Sequence, residues 1–147
     1  MAKEVSEVKK VSYMHWAMLS ALFAGATAVL AKKGVENVPP NLAIAVRVAV
    51  VLVFAVTIAL VTKQTKLGAI SNRSWTFLVF SGIATGASWL CYFRALQAGP
   101  VSRVAPIDKL SFVIAMVLGV LFLGEKPTSN LIYGAILITL GVLLTLK

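Results

Sequence analysis

The sequence predicts an all-α membrane protein of five transmembrane helices, on three observations. Of its 147 residues, 59% are hydrophobic and 13% charged. Soluble domains average about 45–50% apolar and about 25% charged, so a water-soluble fold of this size could not hide the apolar surface. The charges are also unevenly spread. Residues 11–31, 74–93, 110–124 and 127–146 hold no Asp, Glu, Lys or Arg, and between Glu36 and Lys63 the sole charge is Arg47. Finally, these runs approach the length of about 20 apolar residues that one helical crossing of a bilayer requires.

The first span is expected at 12–32. Its basic lead (Lys9, Lys10) and small-residue end, "AGATAVLA", resemble a secretory signal. The apolar run is too long for such a segment, and Lys32-Lys33 follow, so it reads as a retained helix. Residues 1–11 then form a cytoplasmic amino-terminal tail ahead of a single domain, 12–147. "NVPPNLA" (37–43) opens the second span at 40–62, and the third is expected at 75–98. The fourth, 104–123, ends at Gly124, and the fifth, 128–146, restarts near Pro127 in a first helical turn. The short link "GEKPTSN" makes the last two spans an antiparallel hairpin.

Five spans put the termini on opposite sides. Seven loop and tail cations (Lys3, Lys9, Lys10, Lys63, Lys66, Arg73, Lys126) share the amino-terminal side, against four (Lys32, Lys33, Arg103, Lys147) on the other. That bias favours a cytoplasmic amino terminus. Arg47, Arg94 and Lys109 lie within spans near the second side and bring the count level, which leaves a dual topology open.

Small residues mark faces where helices can approach closely in lipid. Ala17, Ala21 and Gly25 are spaced by four in the first span, and Gly82 and Gly86 form a GxxxG in the third. The third span also carries Ser81, Thr85, Ser88 and Tyr92 as one hydroxyl stripe, beside a stripe of Gly82, Gly86, Trp89 and Phe93. Two readings stand: hydroxyls bonded to their own helix at i−4, or the wall of a partly wet cavity with aromatic contacts. Trp16 and Trp75 suit interfacial anchors, and His15 a solvated position beside them.

Charges inside the spans are costly unless paired or hydrated. Arg47 lies seven residues into the second span, about 10 Å deep at 1.5 Å per residue. Arg94, Asp108 and Lys109 fall near the same level, giving one charged layer towards the side opposite the amino terminus. Arg94 reads as snorkelling to headgroups. Asp108 is either a gate residue or, if its helix starts at Pro106, a first-turn acid favoured by the helix dipole.

Other classes fit poorly. The 14 basic residues form no basic face interleaved with aromatics, so no nucleic acid partner is expected. One His, one Cys and no paired carboxylates leave no catalytic constellation, cofactor motif or metal-ligand cluster, so no enzyme is expected. Cys91 reads as a small buried hydrophobe, with no disulfide framework around it.

At "APIDKLSFVIAMVLGVLFLGEKPT" (105–128) the chain resembles an EamA domain of the drug/metabolite transporter superfamily. The resemblance continues through "IYGAILITLGVLL" (132–144), "WLCYFRALQAGPVSRVAPI" (89–107) and "HWAMLSALFAGATAVLAKKG" (15–34), and so covers nearly all of 13–147. It implies one five-helix repeat, half of the common ten-helix exporter, and efflux of metabolites or amino-acid-like solutes through a cavity made chiefly by the first four helices. A single repeat implies a homodimer. An antiparallel pair would rebuild the inverted repeat on which alternating access commonly depends, and a parallel pair is the rival. The related small multidrug-resistance proteins have four helices and a glutamate in the first, where this chain has no carboxylate.

The expectation is therefore a homodimeric secondary transporter of small solutes in a bacterial or archaeal cell membrane. Ser81, Thr85, Ser88, Trp89 and Tyr92 would line its cavity, and Arg47, Asp108 and Lys109 would form a charged gate or coupling layer. The alternatives are a proton-coupled cation or drug exporter using Asp108, and a non-transporting subunit for membrane assembly or lipid-linked substrates.

Overall fold

The computed structural model describes residues 2–146, with side chains described for 13–146. Lys3, Lys9, Lys10 and Lys147, which entered the charge count, lie outside the described side chains, as does the proposed tail 1–11. The chain forms helices α1 (Ala2–Gly34), α2 (Pro40–Val61), α3 (Asn72–Ala98), α4 (Val101–Asp108), α5 (Leu110–Leu123) and α6 (Ser129–Thr145). No strand occurs among the described residues. Tyr13–Gly34, α2, α3 and the α4–α5 run Val101–Leu123 are each long and apolar enough to cross a membrane. The 17-residue α6 is shorter but apolar. At 1.5 Å per residue it extends about 25 Å, the lower end of the spanning range. The protein is all-α and polytopic.

The helix ends follow local chemistry. Pro40 occupies the first position of α2, where its missing N–H would be unsatisfied anyway. Ser71 caps α3, its hydroxyl accepting from the Ser74 N–H at 3.1 Å. Helix α3 thus begins three residues before the expected 75, because the polar turn Asn72–Arg73–Ser74 is helical although it is not apolar. The fourth span likewise begins at Val101 instead of 104, immediately after Pro100. Pro127 is not in the first turn of α6. Thr128 is the cap, accepting from the Leu131 N–H at 3.3 Å, and Pro127 precedes it.

Gly124 ends α5 in the left-handed conformation (φ 68°), which favours a residue without Cβ. The following Glu125 N–H donates to the Gly119 carbonyl at 3.2 Å. A Cβ at Gly119 would lie 2.7 Å from the Glu125 carboxylate, so this buried glycine makes room for the turn. The turn folds α6 back on α5, the expected hairpin.

Helix α3 is the centre of the bundle: α2 packs along it, and α1 and α4 pack beside it. Helix α4 also contacts α1 and α6. The buried apolar side chains Ala28, Val35, Ile44, Phe93, Leu96 and Val142 all lie towards one end of the bundle. It is the end where α1, α3 and α6 finish and where α2 and α4 begin. Val35, Ile44, Phe93 and Leu96 form its core. Towards the other end the described residues 13–26, 48–58 and 71–85 are all exposed.

The small-residue faces therefore find no close partner among the described residues. Ala17 and Ala21 are exposed, and a Cβ added at Gly25, Gly82 or Gly86 would meet nothing within 4 Å. The expected close approach is not made among the described residues of a single copy, because the buried contacts of α1 with α3 lie towards the packed end.

Candidate functional site

Two cavities flank α3, and the two stripes seen in the sequence divide between them. On one side Arg47 of α2 lies over the Trp89 ring, its Cζ 4.4 Å from the centroid, and 5.4 Å from that of Phe93. Arg47 and Phe93 line a cavity of about 410 Å³ with Thr27, Leu30, Ala31, Gly34, Val38, Ala43 and Val46. On the other side Ser88, Cys91, Tyr92 and Ala95 of α3 face Val104, Ile107 and Asp108 across a space of about 250 Å³.

This division sharpens the expected cavity wall. Ser88 and Tyr92 do line a cavity, whereas Trp89 belongs to the opposite side, stacked under Arg47. Ser81 and Thr85 line neither: they are exposed, and the Thr85 hydroxyl donates to the Ser81 carbonyl at 2.9 Å. For Thr85 the self-bonded reading holds. Cys91 is not the buried hydrophobe expected; it is exposed on the α3–α4 cavity.

The charged residues fall as follows. Asp108 is the last residue of α4, which begins at Val101, so it is not a first-turn acid. Pro106 inside α4 cannot donate a backbone hydrogen bond, and the helix is interrupted at Lys109 before α5 starts. At that break Lys109 Nζ stands 3.5 Å from the Asp108 carboxylate and 5.4 Å from the Phe112 ring. Lys109 points to the α4–α6 side, with Ala105, Pro106 and Ile138. Tyr92 is within electrostatic reach of both Asp108 and Arg47. Arg94 is exposed, as snorkelling requires.

Sequence reasoning missed Lys32. It counted as a loop cation, but its ammonium donates to the Leu96 carbonyl at 2.7 Å and the Gly99 carbonyl at 3.0 Å. The cause lies in Pro100: in a continuing helix its N–H would serve the Leu96 carbonyl, and proline has none. Gln97 adds contacts at the long limit, 3.5 and 3.4 Å, to the Val35 and Val38 carbonyls. Together these groups tie the end of α1 to the end of α3. The signal was the pair "GP" at 99–100, which announces orphaned carbonyls without naming their donor.

Among the described residues no three His, Cys, Asp or Glu side chains gather to hold a metal ion. What the site offers is a set of fixed charges at one depth in a membrane-spanning bundle. The sequence model of the EamA-like transporter family matches residues 11–147.

The chain belongs to that family. It is 48% identical over 134 residues to a Sinorhizobium protein named "Uncharacterized transporter in cobO 3'region", covering 90% of this chain and 95% of the relative. It is 28% identical over 135 residues to the Bacillus subtilis "Uncharacterized transporter YxxF", covering 89% of this chain but 41% of that longer protein. No solved structure is significantly similar to it. The protein is a multi-pass membrane transporter of EamA type.

Proposed function

We propose that the protein exports small metabolites or amino-acid-like solutes across the cell membrane by alternating access, working as a homodimer with its amino terminus in the cytoplasm. The observation that carries this reading is the one-ended packing of the bundle beside two cavities. Alternating access needs a bundle that is closed at one end and can open at the other. Here α1, α2, α3 and α4 share a buried core at one end, while α1, α2 and α3 are exposed along the described residues 13–26, 48–58 and 71–85 towards the other.

A second copy is supported from two directions. The chain covers 41% of the Bacillus relative, which leaves room there for another such unit, and 95% of the Sinorhizobium one. The bare stripes at Ala17, Ala21, Gly25 and at Gly82, Gly86 are surfaces that another helix can approach closely. On a Cys91→Ala background, Ala21→Cys near mid-span crosslinks to its equivalent in either orientation of a pair through α1. Met14→Cys, at the span's end, does so only in a parallel pair. Absence of both crosslinks in native membranes would overturn dimerisation through this face.

Uptake into proteoliposomes tests transport itself. The purified protein is expected to accumulate a radiolabelled amino-acid mixture above protein-free vesicles. The proton-coupled alternative is favoured by one observation, that Asp108 lines a cavity with Tyr92 and Ser88. If it holds, an imposed pH gradient drives uptake in the wild type and not in Asp108→Asn. Normal gradient-driven uptake by a folded Asp108→Asn protein would remove Asp108 from the coupling.

A further inference from the structure

The charge balance around Arg47 points to the substrate. The guanidinium Cζ lies over the Trp89 ring at 4.4 Å from its centroid and over the Phe93 ring at 5.4 Å. Among the described residues it makes no hydrogen bond or ion pair. A ring beside the group takes up none of its five N–H donors in a conventional hydrogen bond, so the planar fork remains to be satisfied. At about 10 Å into the span, such donors call for an acceptor that water-poor surroundings do not supply.

Among the described residues no acid fills that need. Asp108 stands beside Lys109, and Glu36 is paired with Lys33 at 3.2 Å. Lys32, Lys33, Arg47, Arg94, Arg103 and Lys109 all lie towards the packed end, against Glu36 and Asp108 as its only acids among the described residues. An excess of cations around a low-dielectric cleft concentrates anions and repels cations. Apart from Thr27, the side chains lining the cavity next to Arg47 are apolar, with Leu30, Ala31, Val38, Ala43 and Val46 on its wall. Its volume, about 410 Å³, lies within the range of small-molecule sites.

We propose that this cavity takes an organic monocarboxylate with an apolar body, the carboxylate received by the in-plane donors of Arg47 and the body packed against the aliphatic wall. The proposal rests on the transport reading and names the class of solute that the carrier accepts. A planar fork of donors matches a carboxylate through two parallel hydrogen bonds. The contact with Trp89 restrains the Arg47 head group, so that less ordering remains to be done on binding.

Binding and uptake separate the proposal from the reading on which it rests. In a Trp16→Phe, Trp75→Phe background Trp89 is the remaining tryptophan, and its fluorescence reports directly on the site. The protein in nanodiscs is titrated with 3-phenylpropionate, 3-phenylpropanamide and 3-phenylpropylamine at about pH 7.5, where they are anionic, neutral and cationic. The acid is expected to bind about tenfold or more tighter than the amide, as a charge-assisted pair implies, with the amine weakest. Arg47→Met removes that preference while amide binding persists. Arg47→Lys keeps the acid ahead of the amide by a smaller ratio, which shows that the altered site still folds. Equal affinities in the wild type, or an unchanged ratio in Arg47→Met, would overturn the proposal. Preferential binding of the acid without any uptake in proteoliposomes sinks the transport reading and leaves the site standing. Uptake with no preference for the acid does the reverse.

Discussion

Lys32→Met lowers the unfolding free energy in detergent micelles by about 1–3 kcal/mol, the cost of leaving buried acceptors unmade. The substitution keeps the stem of the side chain and removes its ammonium. The Leu96 carbonyl then has neither Lys32 at 2.7 Å nor a backbone donor, because residue 100 is proline. Gly99 loses its partner at 3.0 Å as well. Lys32→Arg keeps donors within reach and recovers most of the loss. A thermal or denaturant unfolding series on these variants decides the matter. Equal stability of Lys32→Met and wild type would show that water already serves these carbonyls.

Trp89→Ala weakens binding of 3-phenylpropionate by about tenfold or more, measured by isothermal titration because the fluorescent reporter is gone. A desolvated cation–π contact contributes about 2 kcal/mol, and the Arg47 Cζ lies 4.4 Å from this ring. Without the ring the guanidinium keeps only Phe93, at 5.4 Å, and is free to leave the plane in which it meets a carboxylate. Trp89→Phe, which restores a smaller aromatic face, falls between the two. If Trp89→Ala binds the acid as the wild type does, the stack has no part in recognition.

Much of this architecture is legible in the residue order. The spans follow from where charge is absent, and Gly124 ends α5 as its place after an apolar run suggests. The charged level is also readable, since rise per residue converts sequence position into depth. What the sequence hid is which side of α3 each stripe faces. Ser88 and Trp89 are neighbours in the chain, and periodicity assigns them to adjacent stripes without saying what either stripe meets. The structure sends Trp89 to Arg47 and Ser88 to Asp108. The first-turn reading of Asp108 fails for a different reason. Proline commonly starts a helix, but here Pro106 sits inside one that Pro100 had already opened. Lys32 escaped because its partners are carbonyls 64 and 67 positions away, and backbone acceptors leave no mark on composition.

The one-ended packing makes the two leaflets of the bilayer unequal partners of this protein. In one, Val35, Ile44, Phe93 and Leu96 meet each other, and protein contacts set the helix spacing. In the other, the described residues of α1, α2 and α3 are exposed and meet acyl chains or a second copy. Lateral pressure and chain order in that leaflet therefore act directly on the helix angles, while the same change in the opposite leaflet meets a stapled bundle. On the proposed alternating-access cycle, which would change those angles, the lipid of a single leaflet is a control input, and asymmetric bilayers are expected to tune it from one side only.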